Sequence, residues 1–562
     1  MAEDISGIFQ PDAKNIIKIF GDADSYYQIP DYQRPYSWGD EQIEQLWGDI
    51  YSSMEAGDES YFLGAMILIK TKDGYFEVVD GQQRLTTLTI LFCVIRDLYG
   101  NKLEKLDKEL MQSIRDAIKS LVKDKYRLKL ITQLHYQNEF EHEIMNGVKF
   151  RDKELTKKER NEKKFMNAAL IFKQKLEELE KKGGIEEIKK FAEFLLKKVE
   201  MITITCTKQN YAIKLFQILN TRGLDLSPAD LVKSYLYGRI DEEKKRQQFI
   251  STWREIETLS KQMEEDITDL LTYYEYYLLA QNPKQSLYEE LTEKFKKDDP
   301  NEVIYKFKQF VDSFNEIYQM ENKLMFSFWY LPNQVFWKAI LTTAKHEGYR
   351  DFKGLCELLK KTYYCYWIAG YTTSKIKQLS FNIIGWIKRK RKLEDIKKEI
   401  ETKMKDDDVI KRMKESLNED AYEKPWLKPL LILIEYEQTD DSKITYIDPW
   451  ERNLHADHIL PKEWDSVKDW KKKWNEAQAK EWLNKLGNLT LLSGRKNIKA
   501  SNSSFEKKWE IYKGKGLDGT TAFLITQKVI EENDWTEKNV RKRHQWIIGQ
   551  IKNIFGSVCQ VV

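Results

Sequence analysis

Two stretches near the C-terminus, HADHILP at 455–461 and LGNLTLLSGRKNIKASNSSFEKKWEIY at 486–512, decide how the tail of this chain folds. The first reads as a strand that stops where Pro461 cannot donate to a ladder. In the second, Asn488 precedes a strand-like LTLL. Ser503 and Glu506 then have the spacing of a capping box, and Phe505, Trp509 and Tyr512 mark one helical face. The predicted order is strand, excursion, strand, helix. Asp457 and His458 end the first strand; Asn488 and Asn497 punctuate the second half. Phosphodiester hydrolysis needs an activated water and neutralised charge on the phosphate. His458, as a neutral imidazole, can take the water's proton. Asp457 offers a hard carboxylate oxygen and Asn497 an amide oxygen, suited to Mg²⁺ or to Mn²⁺ or Ca²⁺. Asn502 competes with Asn497 as ligand. His455 is left as a supporting or phosphate-contacting group. A zinc site on His455 and His458 lacks a nearby Cys, and a plain surface turn leaves the ordered polar set unexplained.

The rest of the composition bounds the setting. The chain has 562 residues, 41% hydrophobic and 33% charged, with 13% aromatic content including 16 Trp. That supplies several cores and excludes wholesale disorder. Lys plus Arg is 93 against 90 Asp plus Glu, a net of +3, so a polyanion must meet a local patch. From residue 451 onward 21 Lys and Arg face 14 Asp and Glu, a net of +7, which places such a patch in the tail. Five sparse cysteines without a CxxC pair suit a reducing compartment. No run approaches the ~18–20 apolar residues of a membrane span, and MAEDISGIFQ lacks the features of a secretory signal. A cytoplasmic location without a membrane partner is expected.

Toward the N-terminus, YFLGAMILIK (61–70) and GYFEVVD (74–80) read as strands around a TKDG turn. Leu85, Leu88, Phe92 and Ile95 then define a helix, and Ile43, Leu46, Trp47 and Ile50 an earlier one. The turn between strand and helix carries Asp80, Gly81, Gln82, Gln83 and Arg84. Free amides at that helix start favour an anion, Gly81 allows close backbone approach, and Arg84 adds a bidentate donor. Asp80 could hold a metal or polarise a water. Residues 101–440 are mostly Lys/Glu-rich helical texture, interrupted by a strand-like MITITC (201–206). Ser227, Pro228 and Asp230 there form a helix start. FSFWYLPNQVFWKAIL (326–341) is apolar enough for core.

Taken together, DHILP, NLTLL and Asn497 before a helix resemble the ββα-metal (HNH) nuclease motif. With the flanking SNSSFEKK they are similar to the C-terminal domain of GmrSD-type modification-dependent restriction enzymes. IPDYQRPYSW (29–38), FLGAMIL, VVDGQQRLTTL and FQILNTRGLDLSPADLVKSYL (216–236) resemble the ParB-like DGQQR domain at the N-terminus of that family, which hydrolyses nucleoside triphosphates. The resemblance implies an α+β, predominantly helical multidomain chain. Its domains would be a nucleotide-binding domain over 1–240 with a helical insertion at about 101–200, a helical coupling region over 241–440, and an HNH domain over 441–562. It implies that Asn488 orients the His458 ring or holds its loop. It adds Arg34, Asn220 and Arg222 to the nucleotide site of Asp80, Gly81, Gln82, Gln83 and Arg84. Tyr32, Gln33 and Tyr36 either sense a phosphorothioate-modified DNA or pack the floor of that site.

The function so implied is an antiphage defence endonuclease, gated by nucleotide, that cuts or nicks modified foreign double-stranded DNA; a homodimer is left open. Two alternatives stand beside it: a phosphorothioate-stimulated NTPase and nicking nuclease, and a non-cutting nucleotide-dependent DNA-binding regulator.

Overall fold

The computed structural model describes residues 9–22, 25–71, 75–122, 125–150, 155–207, 211–212, 215, 227–440, 442, 444–514 and 522–556. The chain divides into two compact units, Met1–Ser251 and Thr252–Val562. It is α+β and predominantly helical.

The strands of the first unit are β1 (Phe9–Asn15), β2 (Tyr27–Gln28), β3 (Tyr61–Lys70), β4 (Phe76–Asp80), β5 (Lys119–Val122), β6 (Lys125–Leu128), β7 (Leu130–Ile131) and β8 (Val199–Cys206). Six of them form one mixed sheet in the order β1-β8-β3-β4-β2-β7. The helix that follows β4, Gln82–Leu106, is apolar nearly all round: Leu85, Leu88, Ile90, Leu91, Phe92, Val94 and Ile95 are all buried. An all-apolar helix belongs in a core, and this one anchors the unit's main hydrophobic cluster. The early helix, Asp40–Ala56, buries Ile43, Leu46, Trp47 and Ile50 as its spacing predicts. The helix start at Ser227 is also as predicted, with Pro228 in the first turn and a reciprocal Ser227–Asp230 capping box.

The stretch 101–200 is not uniformly helical. The helix Lys108–Ile118 ends before a β5–β6 hairpin, where Lys119 pairs with Leu128 and Leu121 with Tyr126. Alternation along Ser-Leu-Val and Tyr-Arg-Leu suits a strand's period of two, and it outweighs the surrounding Lys/Glu texture. Further on, Gly183 and Gly184 break the helical geometry inside Lys164–Lys197.

In the second unit a helical array runs from Ile267–Leu279 to Leu427–Gln438. The apolar 326–341 stretch supplies parts of Lys323–Trp329 and Gln334–His346, with Phe328, Trp337, Ile340 and Leu341 buried. The tail then forms β9 (Leu454–His458) and β10 (Leu489–Ser493), an antiparallel pair in which Leu489 faces His458 and Thr490 faces Asp457. Helices Gly494–Ala500 and Phe505–Lys513 follow. The second starts one residue later than predicted. Ser504, not Ser503, is its cap and accepts from the Lys507 amide. A tryptophan-rich core of Trp470, Trp474, Trp482 and Trp535 lies beneath. Among the described residues no helix is long and apolar enough to cross a membrane.

Candidate functional site

β9 delivers Asp457 and His458 side by side at its end, and both are buried, each 6% exposed. The Asp457 carboxylate accepts from the Tyr512 hydroxyl at 2.6 Å. It also lies 3.4 and 3.5 Å from the Lys508 ammonium, which donates to the His458 carbonyl as well. Lys508 is 0% exposed; burial pulls its pKa down, and Asp457 pulls it back. Lys508 and Tyr512 sit four residues apart, so they share one face of their helix. The sequence marks Tyr512 on that face and carries no signal for Lys508.

The His458 ring packs on Tyr422, with centroids 4.1 Å apart, and its Nε2 meets Asn484 Oδ1 at 3.0 Å. Asn484 Nδ2 in turn donates to Asp420 at 3.4 Å. Tyr422, Asn484 and Asp420 lie outside the motif, which is why the sequence reading missed them. Burial chiefly, with help from Lys462 and Lys508, lowers the His458 pKa to about 4 against the bond from Asn484. The imidazole is therefore neutral at ordinary pH.

Asn488 is wholly buried, and among the described residues its side chain makes no hydrogen bond to that ring. Its Oδ1 accepts from the Leu460 amide at 2.7 Å and the Trp535 indole at 3.1 Å. Its Nδ2 donates to the carbonyls of Leu460 and Leu483. Two of the four bonds hold the segment after β9 at Leu460 and the other two tie the amide to Trp535 and Leu483, so of the two roles considered for Asn488 the geometry supplies loop-holding. Asn497 lies half-buried on the short Gly494–Ala500 helix. Asn502, its competitor, donates to Glu463 at 2.6 Å. His455 pairs with Leu492, two strand positions before Asp457, with its Nε2 close to Gly494.

The suitability of this set for a divalent ion turns on Asp457. Among the described residues its Oδ1 receives only the 3.5 Å contact from Lys508, so that oxygen keeps acceptor capacity. One carboxylate, an amide and substrate phosphates make a donor set of the Mg²⁺ kind. Among the described residues no three His, Cys, Asp or Glu side chains converge, as a closed zinc site would require.

Burial of two histidines has a measurable consequence. His544, on the last helix, is also buried and bonded to an asparagine, and burial lowers its pKa to about 4 as well. Below the ordinary value near 6.5 the unfolded chain gains protons that the folded one refuses. Stability should then fall as pH drops from about 6.5 toward 4, by roughly 2 kcal/mol per histidine at pH 5. Urea unfolding at pH 7 and pH 5 measures this, and His544→Gln should remove about half of the acid loss.

In the first unit the strand–turn–helix is as predicted. Gly81 caps the helix at φ +92°, where only glycine sits easily, and a Cβ there would come within 3.2 Å of Met66. Its amide donates to Asp80 at 2.7 Å. Arg84 reaches Asp80 at 3.4 Å and donates to the Leu63 carbonyl at 3.1 Å. That second bond depends on Gly64, unflagged by the sequence reading. It lies beside an irregularity in the β3–β8 register, at φ +117°, and a Cβ there would stand 2.2 Å from the guanidinium. Burial raises the Asp80 pKa, while Arg84, the Gly81 amide and Arg34 draw it back down.

Gln82 and Gln83 are buried at the helix start. Gln83 holds the 35–37 loop by two bonds, to the Pro35 carbonyl and the Ser37 amide. Gln33 donates to the Val79 carbonyl. Two buried polar atoms here have no hydrogen-bond partner among the described residues, Gln33 Oε1 and Arg34 Nε. Such atoms beside a charged pair suit a polar ligand. Tyr32 and Tyr36 are buried; Tyr32 packs on Tyr237, and Tyr36 stacks on Phe165 with its hydroxyl on Thr87. Asn220 and Arg222 lie outside the described residues.

Residues 16–237 match the model of the GmrSD restriction endonuclease N-terminal domain. Residues 404–550 match that of the GmrSD restriction endonucleases C-terminal domain. The protein is thus a restriction endonuclease, a defence enzyme whose partner is DNA. It belongs to the GmrSD family. No curated protein matched the chain.

Proposed function

We propose that this chain is a nucleotide-gated nuclease that cuts modified foreign DNA at an HNH-type site in its tail. The observation that carries the reading is the pair at the end of β9: a buried imidazole beside a carboxylate, backed by the strand pair and helix that the motif requires. In the proposed reaction His458 takes a proton from water and the water oxygen bonds to phosphorus. The bridging P–O bond breaks, and the leaving oxygen is protonated from solvent. Asp457 and Asn497 would hold a Mg²⁺ ion, which neutralises phosphate charge when bound. Asn488 and Tyr512 keep the strand end in place. The net positive charge of the tail favours the DNA backbone. Plasmid cleavage with and without Mg²⁺ tests the reading, and cutting that persists unchanged in a chelator would remove the ion from it.

The ParB-like first unit would bind a nucleoside triphosphate at Asp80, Gly81, Gln82 and Arg84, with Arg34 supplying further charge. What supports this is the glycine-capped helix start beside Arg34 Nε and Gln33 Oε1, which are buried and without a hydrogen-bond partner among the described residues. Tyr32, Gln33 and Tyr36 then serve as packing beneath that site, in keeping with their burial. Gly64→Ala should displace the Arg84 guanidinium and lower nucleotide hydrolysis at least tenfold, as should Arg84→Ala. Hydrolysis by Gly64→Ala at the wild-type rate would detach Arg84 from the nucleotide. If nucleotide gates cutting, both variants also change DNA cleavage, and DNA alters nucleotide affinity by linkage.

A further inference from the structure

We infer that Asn484, with Asp420 behind it, is the positioning residue that fixes the His458 tautomer and leaves Nδ1 as the atom that takes the proton. The inference rests on His458 being the general base. An ionised carboxylate only accepts, so the Asn484 amide must turn its Nδ2 toward Asp420, 3.4 Å away. The other end of the amide, Oδ1, is thereby set 3.0 Å from His458 Nε2. A carbonyl-type oxygen also only accepts, so Nε2 must carry the hydrogen. A neutral imidazole has one N–H, and the lone pair is then on Nδ1. Among the described residues nothing hydrogen-bonds Nδ1, whereas the other buried histidine of this domain, His544, has its Nδ1 sealed in the interior.

The support is built from a second segment. The loop between Val409–Asn418 and Leu427–Gln438 brings Asp420 to Asn484, donates the Ala421 amide to the Asn484 carbonyl at 2.8 Å, and lays Tyr422 against the imidazole. Backbone and side chain of Asn484 are therefore both fixed by a segment some forty residues ahead of the catalytic pair. When Nδ1 takes the water's proton, the Nε2–H bond to Asn484 is kept, so the ring need not turn during the reaction.

The test uses the full chain labelled with ¹⁵N-histidine, with His458→Asn identifying the His458 signals. Wild type should show Nε2–H as the dominant neutral tautomer, and Asn484→Leu should give a mixture. In DNA cleavage Asn484→Leu should lose roughly 10–100-fold in kcat with KM unchanged. The double variant Asn484→Asp/Asp420→Asn, in which the carboxylate still accepts from Nε2–H and the new amide behind it donates in turn, should keep the Nε2–H tautomer and controls for folding. A dominant Nδ1–H tautomer in wild type, or full kcat in Asn484→Leu, overturns the inference. Undiminished cutting by His458→Ala would instead sink the general-base reading, while the tautomer measurement would still decide the role of Asn484.

Discussion

His458→Ala is expected to lower DNA cleavage by about 10²–10⁴-fold, the usual worth of a positioned general base. The geometry sharpens what else should happen. The imidazole is not at an open strand end; it is buried against Tyr422 and bonded to Asn484. Removing it leaves a small cavity under the 418–424 loop and a modest loss of stability. DNA binding should persist, since the ring holds no net charge. Single-turnover cleavage of modified plasmid, beside DNA binding by the same preparation, separates chemistry from affinity. Wild-type-like cutting by the variant in a metal-replete assay would remove His458 from the mechanism.

Much of this site could be read from the chain because its parts are local. The Asp457–His458 pair, the following strand and the helix after it are marked by turn, strand and cap residues in sequence order. So is the Asp80–Gly81 turn, where a strand of period two gives way to a helix. What could not be read are partners that only folding brings together. Asn484 and Asp420 are ordinary surface-type residues in sequence, and nothing in their spacing links them to His458. Lys508 sat in a Lys/Glu-rich run, where a solvated side chain is the default expectation; the fold puts it at the centre. Gly64 is another such case, since its purpose lies in a guanidinium twenty residues on. The polar amide of Asn488 was legible as important, but whether it faced a ring or a loop depended on the position of Trp535.

Lys508→Met is expected to cost the second unit about 3–5 kcal/mol, because it leaves a buried carboxylate without its counter-charge. Lys508 is the sole ammonium in contact with Asp457 among the described residues, and it also satisfies the His458 carbonyl. The remaining Tyr512 hydroxyl cannot neutralise a charge that is almost sealed from water. Asp457→Asn leaves the converse problem, an ammonium facing an amide, and should cost a similar amount. The double variant removes both charges, so its loss should be smaller than the sum of the two single losses by at least about 1 kcal/mol, the coupling that a double-mutant cycle reads. Urea unfolding of the four proteins at pH 7.5 supplies the cycle. The double variant should also cut no DNA even where it folds well, because Asp457 is lost with the charge. A Lys508→Met protein within 1 kcal/mol of wild type would mean that Asp457 is not held by this lysine, and that the carboxylate is solvated or otherwise paired in solution.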